Sequence, residues 1–298
     1  MIDQCFFTVA TGDKYLSFAF TLARSYKFHH DDEIPFFIIS DTDFTLPKDL
    51  RWIKKKIITG DLLTSGVSYK FNFDQITPAY KSIFIDADSI IYGNISHVFN
   101  IPNSAIQIIG MKETKGNWAG LELPEVLDHF AIPYIIRYCG AFYYIIKNQL
   151  TANICETAKQ LSLSNYMFQR HTKSVNDEPV LSISLAKSGT TPYADTGNIW
   201  TDTVQFKTHN QLNTLYNKAL FNNSKDYRYK YWLPEGEYRP LIIHFGGNIY
   251  NKNPWIFDAL RLKLFYHYHL PKKVANLAVE VIFKPIYFFG KALKQLLK

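Results

Sequence analysis

The sequence predicts an α/β fold, a mainly parallel sheet with helices on both faces, followed by a basic amphipathic helical tail. Three observations lead there. Short apolar runs alternate with helical patterns from residue 4 to residue 86, one apolar run ends in two carboxylates, and the positive charge is confined to the C-terminal end. Alternation of this kind favours parallel strands, because each crossover helix buries one face against the sheet.

Taken in order, residues 4–10 (QCFFTVA) are an unbroken apolar run that suits a strand buried on both faces, ending in the loop Thr11-Gly12-Asp13. From Lys14 to His29, Leu16, Phe20, Ala23 and Tyr26 recur at helical spacing. Pro35 precedes a second strand, FFIIS, which ends at Asp41. Residues 51–58 suit a third strand, 62–73 a helix and 82–86 (SIFID) a further strand. In the second half, 106–111 and 141–146 read as strands, and 149–161 and 178–187 as helices. Residues 222–240 read as a polar, aromatic loop or lid. Residues 241–244 (LIIH) form a short buried strand before a glycine pair, and 254–269 a helix. No repeat or low-complexity linker interrupts this pattern, so residues 1–260 are expected to form one domain and 261–298 an appendage.

A chain of 298 residues can bury a full core, and 47% hydrophobic against 20% charged residues indicates an ordered globular protein. Residues 261–298 hold eight Lys and Arg against Glu280 alone, which accounts for the whole net charge of +7 and leaves residues 1–260 neutral. That distribution argues against a body-wide nucleic-acid surface. Cys5, Cys139 and Cys155 lack metal-ligand spacing and read as reduced thiols in a cytosolic protein. The opening MIDQCFFTVA has no basic n-region and reads as a strand rather than a signal peptide. No stretch approaches the roughly 20 apolar residues of a spanning helix.

The string Ile83-Phe84-Ile85-Asp86-Ala87-Asp88 carries the most chemistry. Open α/β sheets bind ligands at the carboxyl ends of their strands. Two carboxylates two residues apart can share a divalent cation whose remaining sites go to diphosphate oxygens. Such oxygen-rich, open coordination suits Mg²⁺ or Mn²⁺ better than zinc. A solvated turn after a strand is the other reading of the same string.

Residues 80–99, YKSIFIDADSIIYGNISHVF, resemble the Asp-x-Asp region of GT-A glycosyltransferases, particularly glycosyltransferase family 8, which includes bacterial lipopolysaccharide and capsule galactosyl- and glucosyltransferases. The resemblance implies a GT-A fold and metal-dependent transfer of a hexose from a nucleotide sugar. The expected donor is UDP-galactose or UDP-glucose, the acceptor a membrane-associated glycan or glycolipid, and the outcome retention. It also implies Asp86, Ala87 and Asp88 in the donor site, with Asp86 and Asp88 on the metal. Lys70 falls where the family places a basic residue facing the diphosphate; an exposed helix lysine is its alternative. Val9 to Tyr15 resembles the family's nucleotide-binding start, which implies Ala10, Thr11 and Tyr15 as base contacts, although Gly12 and Lys14 depart from the usual polar or acidic residues. A core aromatic is the alternative for Tyr15.

Further along, His244-Phe245-Gly246-Gly247 and Lys252-Asn253-Pro254-Trp255 resemble the family's His-x-x-Gly…Lys-Pro-Trp signature. The match implies His244 as a third metal ligand and Gly247 and Lys252 on the diphosphate, with a longer gap and Asn253 interrupting Lys-Pro. Asn176-Asp177-Glu178-Pro179 opens a helix, where acids suit the dipole. The resemblance implies that Asp177 and Glu178 position the sugar or act in catalysis. Tyr138-Cys139-Gly140 resembles the donor loop Asn-x-Gly, with Tyr138 in place of Asn.

From Lys272 onward, Lys273, Asn276, Glu280, Lys284, Lys291, Lys294 and Lys298 alternate with Val274, Leu277, Val281, Phe288, Phe289 and Leu293. This reads as an amphipathic basic helix kinked or divided at Pro285. It suits an anionic membrane surface, so the protein is expected in the cytoplasm, peripheral on the inner face of the cell membrane, with the body folding without residues 272–298. A helix packed on the body with its lysines in water is the alternative. Three rival functions share parts of the pattern. A haloacid-dehalogenase-type phosphatase would use Asp86 and Asp88 but wants them on the first strand. A sugar-nucleotide pyrophosphorylase wants a glycine-rich basic loop in place of ATGDKY. An inactive glycosyltransferase-like membrane adaptor would keep the fold alone.

Overall fold

The computed structural model describes residues 2–31, 33–63, 66–164, 175–195, 198–202, 212–223, 236–246 and 253–296. Four parallel strands form the heart of the main sheet: β1 (Gln4–Val9), β2 (Phe36–Ser40), β3 (Lys54–Ile57) and β4 (Lys81–Ile85). Their spatial order is β3-β2-β1-β4, continued by Phe142–Ile146 and Ile106–Gln107. Phe142–Ile146 runs antiparallel to both its neighbours. Helix α1 (Gly12–His29) links β1 to β2.

The apolar runs become strands because both faces of this sheet are covered. Phe6, Ile38, Ile83 and Tyr144 face a core shared with α1, including Phe18, Leu22 and Tyr26. The alternate residues Phe7, Ile39, Phe84 and Tyr143 face a second core with Ile154, Val180 and Leu181 from the helices Gln149–Ser164 and Asp177–Lys187. The sheet is thus mainly parallel with helices on both sides, as expected.

A smaller sheet builds the other wall of the site. In it β5 (Ser89–Ile91) lies antiparallel to Ile242–His244, which pairs in parallel with Trp200–Asp202. The register sets His244 opposite both Ser89 and Asp202. Ser89 directly follows Asp88, so this pairing delivers His244 to the carboxylates.

Several elements differ from the sequence reading. Within the stretch expected to be a helix, 62–73, Gly66–Asn72 winds as a 3₁₀ segment into the single α-helical turn Phe73–Ile76. The buried Lys70 and Phe71 anchor that winding, so packing overrides propensity. The strand expected at 106–111 divides. Ile106–Gln107 stays on the main sheet, while Gly110–Glu113 pairs with Ile135–Tyr138. Residues 191–193 hold the bend, through Gln107 Nε2 to the Thr191 carbonyl (2.8 Å) and the Tyr193 amide to the Ile108 carbonyl (2.8 Å).

In the tail, Lys272–Leu277 and Lys284–Leu296 are joined by a π-helical stretch, Ala278–Phe283, rather than broken at Pro285. Proline cannot donate and its ring crowds the carbonyl four residues back, and the wider turn before it relieves both effects. Helix Trp255–Tyr266 runs without a break across residue 260. Among the described residues no helix is long and apolar enough to cross a membrane.

Candidate donor and metal site

Asp86 follows the last residue of β4, and its amide donates to the Ala141 carbonyl (3.0 Å). The Asp86 carbonyl accepts from Ser89 (3.0 Å), a tight turn that points Asp86 and Asp88 into one space. His244 closes the group. Its Nε2 is 3.2 Å from Asp88 Oδ1 and 4.0 Å from Asp86 Oδ2. Donor atoms of all three residues lie within 4.8 Å of one another. The carboxylates are about one-fifth exposed, at 22% and 20%, so they line a wall rather than project from a solvated turn.

Gly246 supports the imidazole from below. A Cβ there would fall 2.6 Å from His244 Cε1, so only glycine lets the backbone approach the ring this closely. The Phe245 amide donates to the Asp88 carbonyl (3.1 Å), which ties the histidine strand to the carboxylate turn.

Lys70 is 3% exposed and not an open helix lysine. Its ammonium lies 3.4 Å from Asp86 Oδ2 and 3.3 Å from Asp177 Oδ2, and it donates to the Gly140 carbonyl. Asp177 is itself buried at the start of its helix. Glu178 accepts from the Gly140 amide (2.9 Å). A Cβ on Gly140 would lie 3.1 Å from Asp177 Oδ2 and 3.3 Å from Lys70 Nζ, so the 138–141 loop threads between the acids and the lysine. Tyr69 adds a hydroxyl 3.5 Å from Asp86 Oδ1.

The charges are strongly coupled. Burial disfavours the Lys70 ammonium, but Asp86 and Asp177 outweigh it and hold its pKa well above the ordinary value. Burial likewise disfavours a charged His244, yet Asp88 and Asp202 raise it well above the usual imidazole range. Burial pushes Asp86 up against the pull of Lys70 and His244. Asp88 is held below the ordinary carboxylate value, because His244 overcomes its desolvation.

In front of this wall lies a cavity of about 270 Å³, lined by Val9, Thr11, Tyr15, Val67, Lys70 and Asp86-Ala87-Asp88 among others. Tyr15 is 45% exposed at its edge, so it is not a core aromatic. Ala10 does not line the cavity: it is buried behind it, its amide committed to the Ile39 carbonyl (2.9 Å). Gly247 and Lys252 lie outside the described residues, as does most of the expected lid at 222–240.

Two neighbours of His244 escaped the sequence reading. Asp202 Oδ2 is 3.3 Å from His244 Nδ1. Cys139 Sγ lies 3.6 Å from Asp202 Oδ2 and 3.9 Å from His244 Nδ1. Burial raises the Cys139 pKa to about 11 and those of Cys5 and Cys155 to about 12, so all three are thiols at neutral pH. Asp202 had a signal: Ile199-Trp200-Thr201-Asp202 is another short apolar run ending in an acid.

The donor set fits a hard divalent cation. Two carboxylates and an imidazole converge at a cavity wall, and burial of Asp86 beside Asp88 leaves negative charge that a cation would offset. Asp86 follows the fourth described strand rather than the first, which removes the main support for the phosphatase alternative.

The fold is that of the GT-A glycosyltransferases. The galactosyltransferase LgtC, solved with donor and acceptor sugar analogues, superposes with a TM-score of 0.58 at 10% identity, over 90% of this chain and 98% of that one. The glycosyltransferase GlyE of Streptococcus pneumoniae TIGR4 gives 0.52 at 12% identity, over 96% of this chain and 65% of that one. The bifunctional glycosyltransferase WbbM gives 0.54 at 10% identity, over 83% of this chain but 46% of its own length. In sequence, mouse (Mus musculus) glycogenin-1 is 22% identical over 76% of this chain and 82% of its own. Rabbit (Oryctolagus cuniculus) glycogenin-1 is 29% identical over 33% of this chain, and the match spans 34% of the rabbit protein. No protein-family profile matches the chain.

Proposed function

We propose that this chain is a metal-dependent glycosyltransferase that moves a hexose from a nucleoside-diphosphate sugar, UDP-galactose or UDP-glucose, to a membrane-associated glycan, with retention. The convergence of Asp86, Asp88 and His244 on the wall of the cavity bounded by Thr11 and Tyr15 carries this reading. Asp86, Asp88 and His244 would hold Mn²⁺ or Mg²⁺, which when bound offsets the charge of the departing diphosphate.

The protein's own groups do the rest. Thr11 and Tyr15 hold the nucleoside, with the half-exposed Tyr15 at the cavity edge meeting the base. Lys70 bridges the Asp86 and Asp177 carboxylates and fixes them in place. Asp177 and Glu178, on either side of the Gly140 backbone, orient the sugar. The acceptor hydroxyl attacks from the face the diphosphate leaves, which preserves the anomeric configuration. The C-terminal helix, with Ile286, Phe289 and Leu293 exposed beside Lys291 and Lys294, lays the protein on an anionic membrane.

The direct test is release of UDP from UDP-hexoses with and without Mn²⁺. Wild-type protein should turn over only with metal, and Asp88→Ala should abolish that turnover while staying folded. Full activity in Asp88→Ala would refute the assignment, and a folded wild type inert towards every nucleotide sugar would favour the adaptor reading.

A further inference from the structure

We infer that Asp202 is the positioning residue of the metal site: by accepting the Nδ1 hydrogen of His244 it makes Nε2 the ring atom presented to Asp86 and Asp88. This rests on the reading of Asp86, Asp88 and His244 as metal ligands.

The two residues are register partners in adjacent parallel strands, and the Asp202 carboxylate is 3.3 Å from Nδ1. A neutral imidazole has one N–H and one lone pair, and an ionised carboxylate only accepts, so Asp202 selects the tautomer with hydrogen on Nδ1. Once the Nε2 proton leaves for ligation, the lone pair lies on Nε2, the atom that faces Asp88 Oδ1 at 3.2 Å. The Cys139 thiol is farther from Nδ1, at 3.9 Å, and donates towards Asp202 itself, so of these two groups the carboxylate is the nearer acceptor.

The surroundings hold the ring in that pose. The Trp200 ring stacks on His244 at 6.4 Å and 25°, and the Gly246 backbone closes against Cε1. Asp202 is 5% exposed, so little water competes for Nδ1. A carboxylate behind a metal-binding imidazole fixes its orientation and raises its basicity, and losing it typically weakens metal binding.

The test is Mn²⁺ titration of the full-length chain by calorimetry, below the melting temperature of each variant, for wild type, Asp202→Asn, His244→Ala and the double variant. Asp202→Asn should weaken Mn²⁺ binding roughly 10- to 100-fold. In the His244→Ala background the same substitution should cause little further loss, because the inferred effect of Asp202 is transmitted through the imidazole. A wild-type affinity in Asp202→Asn, or losses that add fully in the double variant, would overturn the inference.

One measurement needs no variant at Asp202. Nitrogen-15 NMR of histidine-labelled protein loaded with Mg²⁺, with His244 assigned by its loss in His244→Ala, should show the Nδ1–H tautomer; the Nε2–H tautomer would also overturn the inference. Equal Mn²⁺ binding by wild type and His244→Ala would instead sink the ligand assignment beneath it, so the two failures are distinguishable.

Discussion

Lys70 lies between Asp86 and Asp177 with 4% of its side chain exposed, and Asp177 is buried to the same degree. Removing one member of such a pair leaves the other charge buried without compensation, at a cost of about 3 kcal/mol or more. Lys70→Met should therefore lower unfolding free energy by about that amount in chemical denaturation, besides impairing turnover. His244 yields a pH prediction. Its folded-state pKa is raised by Asp88 and Asp202, so those contacts stabilise the metal-free protein below the imidazole's unfolded pKa. That contribution disappears as pH rises through the raised value. Metal binding runs the other way, because the Nε2 proton must leave before the ring can ligate. Mn²⁺ affinity should rise with pH, with proton release visible as a buffer-dependent heat in calorimetry. Gly246→Ala should weaken Mn²⁺ on the order of 10-fold, since its Cβ would displace the ring from the carboxylates.

At the level of elements, the tail divides in a way its charge pattern does not suggest. Arg261 is 1% exposed and bonds Asp258 (2.6 Å), Asn276 (3.1 Å) and Glu280. Asp258 in turn accepts from Tyr92 (2.6 Å), and Asn276 from Asn213 (2.7 Å). Ala275 and Val279 are fully buried. The first tail helix and the π turn thus pack on the body, so their removal is expected to cost stability. Beyond them, Lys284–Leu296 leaves Ile286, Phe289 and Leu293 exposed. Deleting 284–298 should shift the melting temperature little. Deleting 272–298 should lower it by several degrees, because Arg261 loses Asn276 and Glu280 and the buried Arg261–Asp258 pair loses its cover.

Across the whole molecule, the neutral body and the basic end are expected to act at different places. Deleting 284–298 should abolish co-sedimentation with phosphatidylserine vesicles in low salt while leaving Mn²⁺-dependent hydrolysis of a soluble donor intact. Asp88→Ala should sediment like wild type. Vesicle binding by the deletion variant would return the tail to a packing role. The separation has a simple physical origin: the donor site draws on strand ends in the fold's interior, whereas the last helix presents apolar side chains and lysines to its surroundings.

Continuous apolar runs made β1, β2 and β4 legible from sequence, because strands covered on both faces have no reason to alternate. Asp86 and Asp88 were legible because they follow such a run directly. Lys70, Asp177 and His244 could be named only through a family resemblance, since 70, 177 and 244 are far apart along the chain. Asp202 left only the weak trace of a short apolar run ending in an acid, and the burial of Arg261 left none. The sequence by itself determined the sheet, the acidic strand end and the segregation of positive charge, each written in local composition and order. Only the tertiary structure decided that His244 meets the carboxylates of Asp86-Ala87-Asp88, that Lys70 is buried between acids, and that half the tail belongs to the body. Those outcomes depend on which distant strands and helices pair, and the free energy of that pairing comes from contacts no local window contains.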